Sequence, residues 1–576
     1  MPKKYNLLKP DQRLVKKIQQ AAGCSSIVAT IIANRQVKTQ KELDLFLSPT
    51  LNKMRSPFSL AGIQKAVERI HRALIKKEKI LVFVDYDADG VCSGAILVQT
   101  LRHLGADVQY LIPHRHTDGY GLTEQHITDV VIPGKFSLLI TADCGSTASL
   151  PISRATERGI DVIVTDHHEV DPCARVNAAY AFVNPKDKGD CSGLADLAGV
   201  GVAFYLIVCL RSYLREKSFF NPQRPEPNLK GLADLVCIGT IADCVPLVHD
   251  NRILVNAGLE VLRSGKTRPG VKALLEVAGI EPAKITSTDV GFKMAPRINA
   301  ASRMAHANTA IELFLSEDEQ TAKKLAAQLN QYNEERKLLV EKILAQIGEK
   351  FEADPSLFDR KALILSDRSW PTGVLGIIAG KIAEKYQRPA IIISLDEKEG
   401  KGSARSVPGV DIYKCLSSLS GYLVGFGGHN QAAGLKISLD QIEPFKAAVE
   451  QYMSCETLTN PEQDAMVVDY EIGFEEISEA LVSELQKLEP FGQCNPEPVF
   501  LARNIRSSGA QVLKGGHRKM YLAQPVSESE RTYSAIHFNA ESTEAAPADY
   551  QAVAFKLAWN HWRGKQTIQF IVLDAA

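Results

Sequence analysis

Residues 80–90 read ILVFVDYDADG. The first five are aliphatic or aromatic with no polar alternation, the pattern of a strand buried on both faces of a parallel sheet. The turn that follows places Asp85, Asp87 and Asp89 at alternate positions. Downstream, SGAILVQTLRHLG reads as a helix that stops at Gly105. DVQYLIP, FSLLITAD and DVIVTD then repeat the short apolar run, with helical or polar stretches between them. Such alternation specifies an α/β fold with a parallel, doubly wound sheet. Ligands of these sheets sit beyond the carboxyl ends of the strands, which is where the aspartates fall.

The acids recur at each such end. LLITADCG supplies Asp143, VIVTDHHEV supplies Asp166, His167 and His168, and VCIGTIADCVPL, read as a fourth strand-like run, supplies Asp243. One aspartate after a strand is ordinarily a helix cap or a turn residue. Acids at four successive ends are different, because carboxylates crowded on one rim raise each other's pKa and cost stability unless a cation neutralises them. A mixed Asp and His set suits Mn²⁺ or Mg²⁺, with imidazole favouring Mn²⁺. Two ions about 3.5–4 Å apart, bridged by one carboxylate, would clamp an in-line phosphoryl displacement.

The chain has 576 residues, too many for one core, so three or four domains are expected. Lys plus Arg number 67 and so do Asp plus Glu, which excludes a surface basic overall but not a basic groove. Eleven cysteines without a CxxC pair fit buried thiols in a reducing compartment. There is no apolar leader and no run of about 18 apolar residues, so no membrane contact and a cytoplasmic location are expected. Residues 1–55 read as an N-terminal helical segment. Residues 316–351 repeat apolar positions at helical spacing without Gly or Pro until Gly348, as one long helix bridging two domains. A second strand–helix–strand unit follows and ends in GFGGHNQAAGL. From about 465 short strand-like runs with Gly and Pro punctuation predict a small β-barrel or sandwich.

The ordered motifs DYDADG, TADCG, TDHHEV and IGTIADCVPL resemble those of the DHH phosphoesterase superfamily. RHTDGYGL, LAGVGVAF, MAPRINAASRM, KGSARSV, GGHNQAAGL, PFGQCNP and NHWRGKQTIQF narrow the resemblance to its RecJ family, from about residue 56 to the C-terminus. The resemblance implies a DHH catalytic domain at 56–315, a connecting helix at 316–352, a DHHA1 substrate-binding domain at 353–460 and an OB-fold barrel at 461–576. It implies a single-stranded-DNA-specific 5′-to-3′ exonuclease of DNA recombination and repair. Two Mn²⁺ or Mg²⁺ ions would serve the hydrolysis, with release of 5′-mononucleotides. It further implies a monomer, with single-strand-binding protein and a helicase as partners.

Residue by residue, Asp87, Asp89, His167 and Asp243 match metal ligands and Asp143 matches the bridging position. Asp85 is either a ligand or an outer carboxylate. Asp166 and His168 match residues that orient ligands or touch the scissile phosphate; His168 reads equally as a satisfied turn histidine. Arg297, Asn299 and Arg303 match substrate contacts, and a planar guanidinium grips phosphate with two hydrogen bonds; an interdomain tie is the competing reading. Ser403, Arg405, Gly427, Gly428 and His429 match a second substrate-binding set, and Arg115 and Tyr120 are further candidates. In the barrel, Lys514, His517, Arg518, Lys519, Tyr521, Trp562 and Arg563 are basic or aromatic candidates for single strands.

Three positions depart from the family pattern: Pro371 stands where it has His, and Ser302 and Cys494 where it has Gly. Pro371 puts in doubt any role of that His. Two alternatives remain open, a phosphodiesterase of short oligonucleotides and a catalytically silent DNA-binding scaffold.

Overall fold

The computed structural model describes residues 5–115, 117–170, 176, 178–455, 465–513, 516–525, 531–540, 547–562 and 565–576. Five parallel strands form the first sheet: β1 (Ile80–Val84), β2 (Val108–Leu111), β3 (Leu138–Ala142), β4 (Asp161–Thr165) and β5 (Ala181–Val183). Their order is β2-β1-β3-β4-β5, with Ile80 opposite Leu138 and Leu138 opposite Asp161. The order reverses between β1 and β3, and such a reversal opens a crevice at the strands' carboxyl ends.

Side chains alternate across this sheet with period two. Ile80, Val82, Val84, Leu138 and Ile140 pack under helices Ile63–Lys76, Ala88–His103 and Gly199–Glu216. Leu81, Phe83, Leu139, Val162 and Val164 fill a separate core with Ile127, Val131 and Ile152. Both faces are covered, which explains why β1 carries no polar residue. VCIGTIADCVPL is not a strand: Ala233–Ala242 is a helix with Asp243 at its C-cap. An unbroken apolar run of this length fits a buried helix as well as a buried strand, so that expectation is corrected while the acid still reaches the rim.

The long helix spans Glu319–Ala353, opened by Asp318, whose side chain accepts the Thr321 N–H. At 1.5 Å per residue it is about 50 Å long. Its first half buries Ala322, Ala326 and Leu329 in the first core, and its second half buries Val340, Ile343, Ile347 and Phe351 in the next. The helix therefore fixes the two α/β units relative to each other. The second unit has a mixed sheet in which Leu363–Asp367 and Ala390–Leu395 run parallel and Glu399–Arg405, Ala432–Ser438 and Gly425–Gly428 continue antiparallel.

At the C-terminus Phe500–Leu513, His517–Ala523, Thr532–His537, Lys565–Ala575 and Asp549–Trp562 pair in turn, and the last pairs back with the first, closing a five-stranded barrel. The N-terminal helices Gln12–Ala22, Ser26–Asn34 and Gln40–Leu47 share a core with this barrel, in which Val15, Ile31 and Phe46 join Phe500, Phe555 and Phe570. Tyr5–Leu7 pairs in parallel with Met466–Val468, and Arg35 bridges Asp469 at 2.6 Å. The two ends of the chain thus build one unit. Arg252, on helix His249–Arg263, ties that unit to the first α/β unit by donating to the carbonyls of Phe46, Leu488, Glu489 and Pro490. Among the described residues no helix is long and apolar enough to cross a membrane.

Candidate metal centre and phosphate cleft

Each acidic turn begins as an extension of the sheet. Asp85 N–H donates to Ala142 O at 3.2 Å, Asp143 N–H to Thr165 O at 3.0 Å and Asp166 N–H to Val183 O at 3.1 Å. The ladder carries three carboxylates on neighbouring strands to one level of the rim. Beyond them Asp87 caps helix Ala88–His103, accepting from the N–H groups of Asp89 and Gly90. Asp89 receives Gly199 N–H at 2.7 Å and Val200 N–H at 2.9 Å, so it caps the start of helix Gly199–Glu216.

His167 Nε2 lies 3.2 Å from Asp143 Oδ1, 3.4 Å from Asp243 Oδ2 and 4.0 Å from Asp89 Oδ2. Three groups have potential ligand atoms within 4.8 Å of one another: Asp89, His167 and Asp243; Asp85, Asp87 and Asp143; and Asp143, His167 and His168. Asp143 belongs to two of them. It occupies the left-handed region at φ 63°, and a Cβ on Gly199 would come within 2.3 Å of its Oδ1. Glycine at 199 is therefore required for the carboxylate to sit where it does.

The electrostatics match a cation seat. Burial and then neighbouring carboxylates push Asp85, Asp89 and Asp143 well above the usual range, and Asp243 up to about 7. Burial followed by His168 holds His167 down to about 3, leaving neutral imidazole, the form that binds metal. Asp85 Oδ1, Asp143 Oδ1 and both ring nitrogens of His167 are buried without a hydrogen-bond partner. Buried polar atoms are ordinarily satisfied, so these unpartnered atoms, converging at ligand distances, fit one or two divalent ions.

Asp166 is different. It accepts from the N–H groups of Ser146, His167 and His168 and from His168 Nδ1 at 2.7 Å. Burial opposes its charge, but the bonds to His168 and the charges around it win and hold its carboxyl below the usual range. It orients His168 and in return pushes that imidazole up to about 9 against burial. Tyr120, half exposed, places its hydroxyl 3.3 Å from both nitrogens of the His168 ring.

A second cluster is basic. Arg303 closes helix Ala295–Met304 and donates to Gly373 O in the second α/β unit. Burial, then Arg115, Arg336 and Arg405, push its guanidinium down to about 9. Arg115 lies over the Tyr86 ring at 4.7 Å, and Arg405 donates to Ser403 Oγ at 3.2 Å. Burial, then Arg115, likewise holds the Arg405 guanidinium below its usual value, and burial lowers Arg336. Arg336 was not singled out in the sequence. It sits mid-helix in NQYNEERK, where a charge run reads as a solvated face, yet its Nε is buried without a partner.

Other expectations land elsewhere. Arg297 bonds Asn330 Oδ1 and Lys293 O, tying its helix to the first half of the long helix. Asn299 Oδ1 accepts Ala88 N–H at 2.8 Å and so braces the first acidic turn. Gly427, Gly428 and His429 lie exposed at the end of the second unit's sheet. Pro371 follows Trp370, whose indole donates to Gln346, and serves as a turn residue. In the barrel Arg518 is buried rather than exposed, correcting its reading as a groove residue, and His517 accepts Asn539 N–H. Lys519 is partly buried and Tyr521 exposed. Lys514, Arg563 and the Trp562 side chain lie outside the described residues. Asn184, also missed, donates to Ser146 Oγ and His168 O and fixes the histidine loop; one Asn after an apolar run carries no signal of that role.

Comparison with known proteins agrees with this geometry. Residues 79–240 match the DHH family, N-terminal domain, residues 359–454 the DHHA1 domain and residues 468–574 the RecJ OB domain. The single-stranded-DNA-specific exonuclease RecJ of Bacillus subtilis is 34% identical over 100% of this chain and 71% of its own length. That of Escherichia coli is 34% identical over 95% of each. The crystal structure of RecJ in complex with Mn²⁺ from Thermus thermophilus superposes with TM-score 0.83 at 29% identity, covering 100% of this chain and 79% of that one. The Mg²⁺ complex superposes with TM-score 0.76 at 28% identity, covering 99% and 78%.

Proposed function

The chain belongs to the RecJ family of single-stranded-DNA-specific exonucleases, and we propose that it removes 5′-mononucleotides one at a time from the 5′ end by hydrolysis at the acidic rim. It is a metal-dependent hydrolase of single-stranded DNA. The observation that carries the mechanism is the convergence of buried, unpartnered carboxylate and imidazole atoms on Asp143 and His167.

Asp87, Asp89, Asp143, His167 and Asp243 would hold two Mn²⁺ or Mg²⁺ ions, with Asp143 shared between them and Asp85 beside it. Bound there, the ions supply a water of lowered pKa and neutralise charge on the phosphoryl oxygens. The chain's own groups do the positioning. Asp166 fixes His168 through Nδ1, which leaves Nε2–H and the Tyr120 hydroxyl to donate to the scissile phosphate. Arg303, Arg115, Arg405 and Arg336 seat the phosphate on the 5′ side of the departing nucleotide. The phosphorus of the next phosphate then faces the rim. Water oxygen bonds to that phosphorus, the bond to the 3′-oxygen breaks, and the nucleotide leaves with a free 3′-hydroxyl. The remaining strand keeps a 5′-phosphate for the next cycle. An entry between the α/β units that takes one strand and not two would account for the preference for single strands.

Functional units at 56–315, 316–352, 353–460 and 461–576, preceded by the helical segment 1–55, would divide the work into chemistry, spacing, substrate grip and strand binding. A monomer in the cytoplasm, meeting single-strand-binding protein and a helicase on its substrate, completes the reading.

The test uses 5′-labelled and 3′-labelled single strands beside their duplexes, with Mn²⁺ or EDTA. Labelled mononucleotide should leave the 5′ end of the single strand at once, and EDTA or Asp143→Ala should abolish it. Early label release from the 3′ end would reverse the polarity, binding without cutting would favour the silent scaffold, and cutting of short oligomers alone would favour the oligonucleotide phosphodiesterase.

A further inference from the structure

Phe292 is 81% exposed, the most exposed of the large apolar side chains among the described residues. It lies in Val290–Met294, a wide π-turn that runs directly into helix Ala295–Met304. Wide turns of this kind re-aim side chains and recur at functional sites. Exposed Phe292 and partly buried Pro296, Asn299 and Arg303 are spaced by four, three and four residues, beside a second accessible row through Lys293, Arg297 and Met304, while Met294, Ile298 and Ala301 are buried. Residues at that spacing share one helix face. Asn299 on this face braces the acidic turn through Ala88, and Arg303 joins the arginine cluster. Phe292 therefore belongs to the cleft-facing stripe, about three turns from Arg303.

The other end of the run leads to the barrel. Ser287 Oγ donates to Phe491 O and Thr288 Oγ1 to Glu497, just before the barrel strand that begins at Phe500. Gly291 packs on Ile241, two residues before Asp243: a Cβ there would be 3.4 Å from its Cγ2. Phe292 thus stands between the catalytic rim and the barrel. The adjacent cation is occupied, since Lys293 pairs with Asp289 at 2.7 Å. What this point offers is an exposed aromatic face beside a paired cation.

We propose that Phe292 is a stacking platform for a base of the single strand as it passes from the barrel to the rim. This rests on the function proposed above and extends it to a residue outside the metal and phosphate sets. Aromatic stacking suits a sequence-tolerant nuclease because every base has a π-face. Phe292 and Arg303 are 11 residues apart, about 16 Å along a helix. At about 3.4 Å per nucleotide the stacked base falls within roughly five nucleotides of the phosphate that Arg303 grips, and closer if the strand is extended.

The test measures binding of a 20-nucleotide strand to the full-length protein in EDTA by fluorescence anisotropy, with single abasic sites placed along the strand. Wild type should show one position, within the first five or so nucleotides, where loss of the base weakens binding about tenfold. Phe292→Ala should lose about the same affinity on the intact strand and no longer sense that abasic site. Phe292→Trp should restore both and Phe292→Leu neither. Ile75→Ala, another exposed apolar residue on helix Ile63–Lys76, should match wild type. An unchanged abasic profile in Phe292→Ala, or full affinity in Phe292→Leu, would overturn the proposal and leave Phe292 as an apolar anchor for some other surface. Failure of wild type to release mononucleotides in Mn²⁺ would instead overturn the underlying function, and it is read in a separate assay.

Discussion

Asn at position 243 should make the metal-free protein more stable and the metal-bound protein less so. Asp243 is the C-cap of helix Ala233–Ala242, where a carboxylate meets the negative end of the helix dipole. Its side chain is 24% exposed, and burial, then Asp87, raise its carboxyl from 3.8 to about 7. A folded-state pKa above the unfolded one means that the metal-free fold holds an extra proton. Its stability is complete below about pH 4 and falls as pH rises through 7. Three pH units at about 1.4 kcal/mol each give a ceiling of about 4 kcal/mol at pH 8. Solvent and relaxation around a partly exposed group reduce this to about 1–3 kcal/mol. Asp243→Asn keeps the shape and removes the charge. In EDTA at pH 8 its catalytic-domain transition should lie roughly 2–12 °C above wild type, taking about 2–4 °C per kcal/mol, with the gap closing towards pH 5. With Mn²⁺ at about 100 times its Kd, wild type should gain about 2.7 kcal/mol and the variant much less. Scanning calorimetry across pH 5–8 reads both. A variant that melts lower than wild type in EDTA at pH 8, or that gains equally from Mn²⁺, would refute the charge-crowding account.

Gly199→Ala would drive a methyl into Asp143 Oδ1, so Mn²⁺ affinity by titration calorimetry should fall about 10–100-fold while far-UV dichroism stays native. Arg303→Lys should raise KM about tenfold on 5′-phosphorylated strands, the loss of one bidentate contact at about 1.4 kcal/mol, and change KM little on 5′-hydroxyl strands; equal effects on both would remove Arg303 from the phosphate seat. Deleting residues 1–47 strips Val15, Ile18, Ile27, Ile31 and Phe46 from the core shared with the barrel. At about 1.5–3 kcal/mol per buried side chain the barrel should become protease-sensitive, while residues 79–240 stay protected; a barrel that resists digestion would show that the shared core is dispensable.

The first α/β unit was legible because its strands carry two signals at once. β1 reads as a buried strand from ILVFV, and the acid behind it marks which end faces the ligand. The long helix was legible from periodicity, and its bounds moved by only a few residues. The strand-like reading of VCIGTIADC failed because a helix buried on all sides has no polar stripe to betray its period. The union of the N-terminal helices with the barrel was invisible for another reason: the pairing of Tyr5 with Met466 crosses most of the chain. At the site, the acids and histidines could be found because like charges at successive strand ends need a cause. Arg336 and Phe292 could not, since a charged or aromatic residue on a helix becomes meaningful only when the fold shows which face points at the cleft. Arg297 shows the converse, a motif residue that the fold uses to hold two helices together.

We propose that the rim acids are ligands of two ions sharing Asp143. Anomalous diffraction at the manganese edge, from crystals of the protein soaked in Mn²⁺, tests it most directly. Two peaks about 3.5–4 Å apart, both touching Asp143, with His167, Asp243 and the first acidic turn around them, are the expected result. A single peak remote from Asp143, or no peak at the rim under conditions that support hydrolysis, would contradict it.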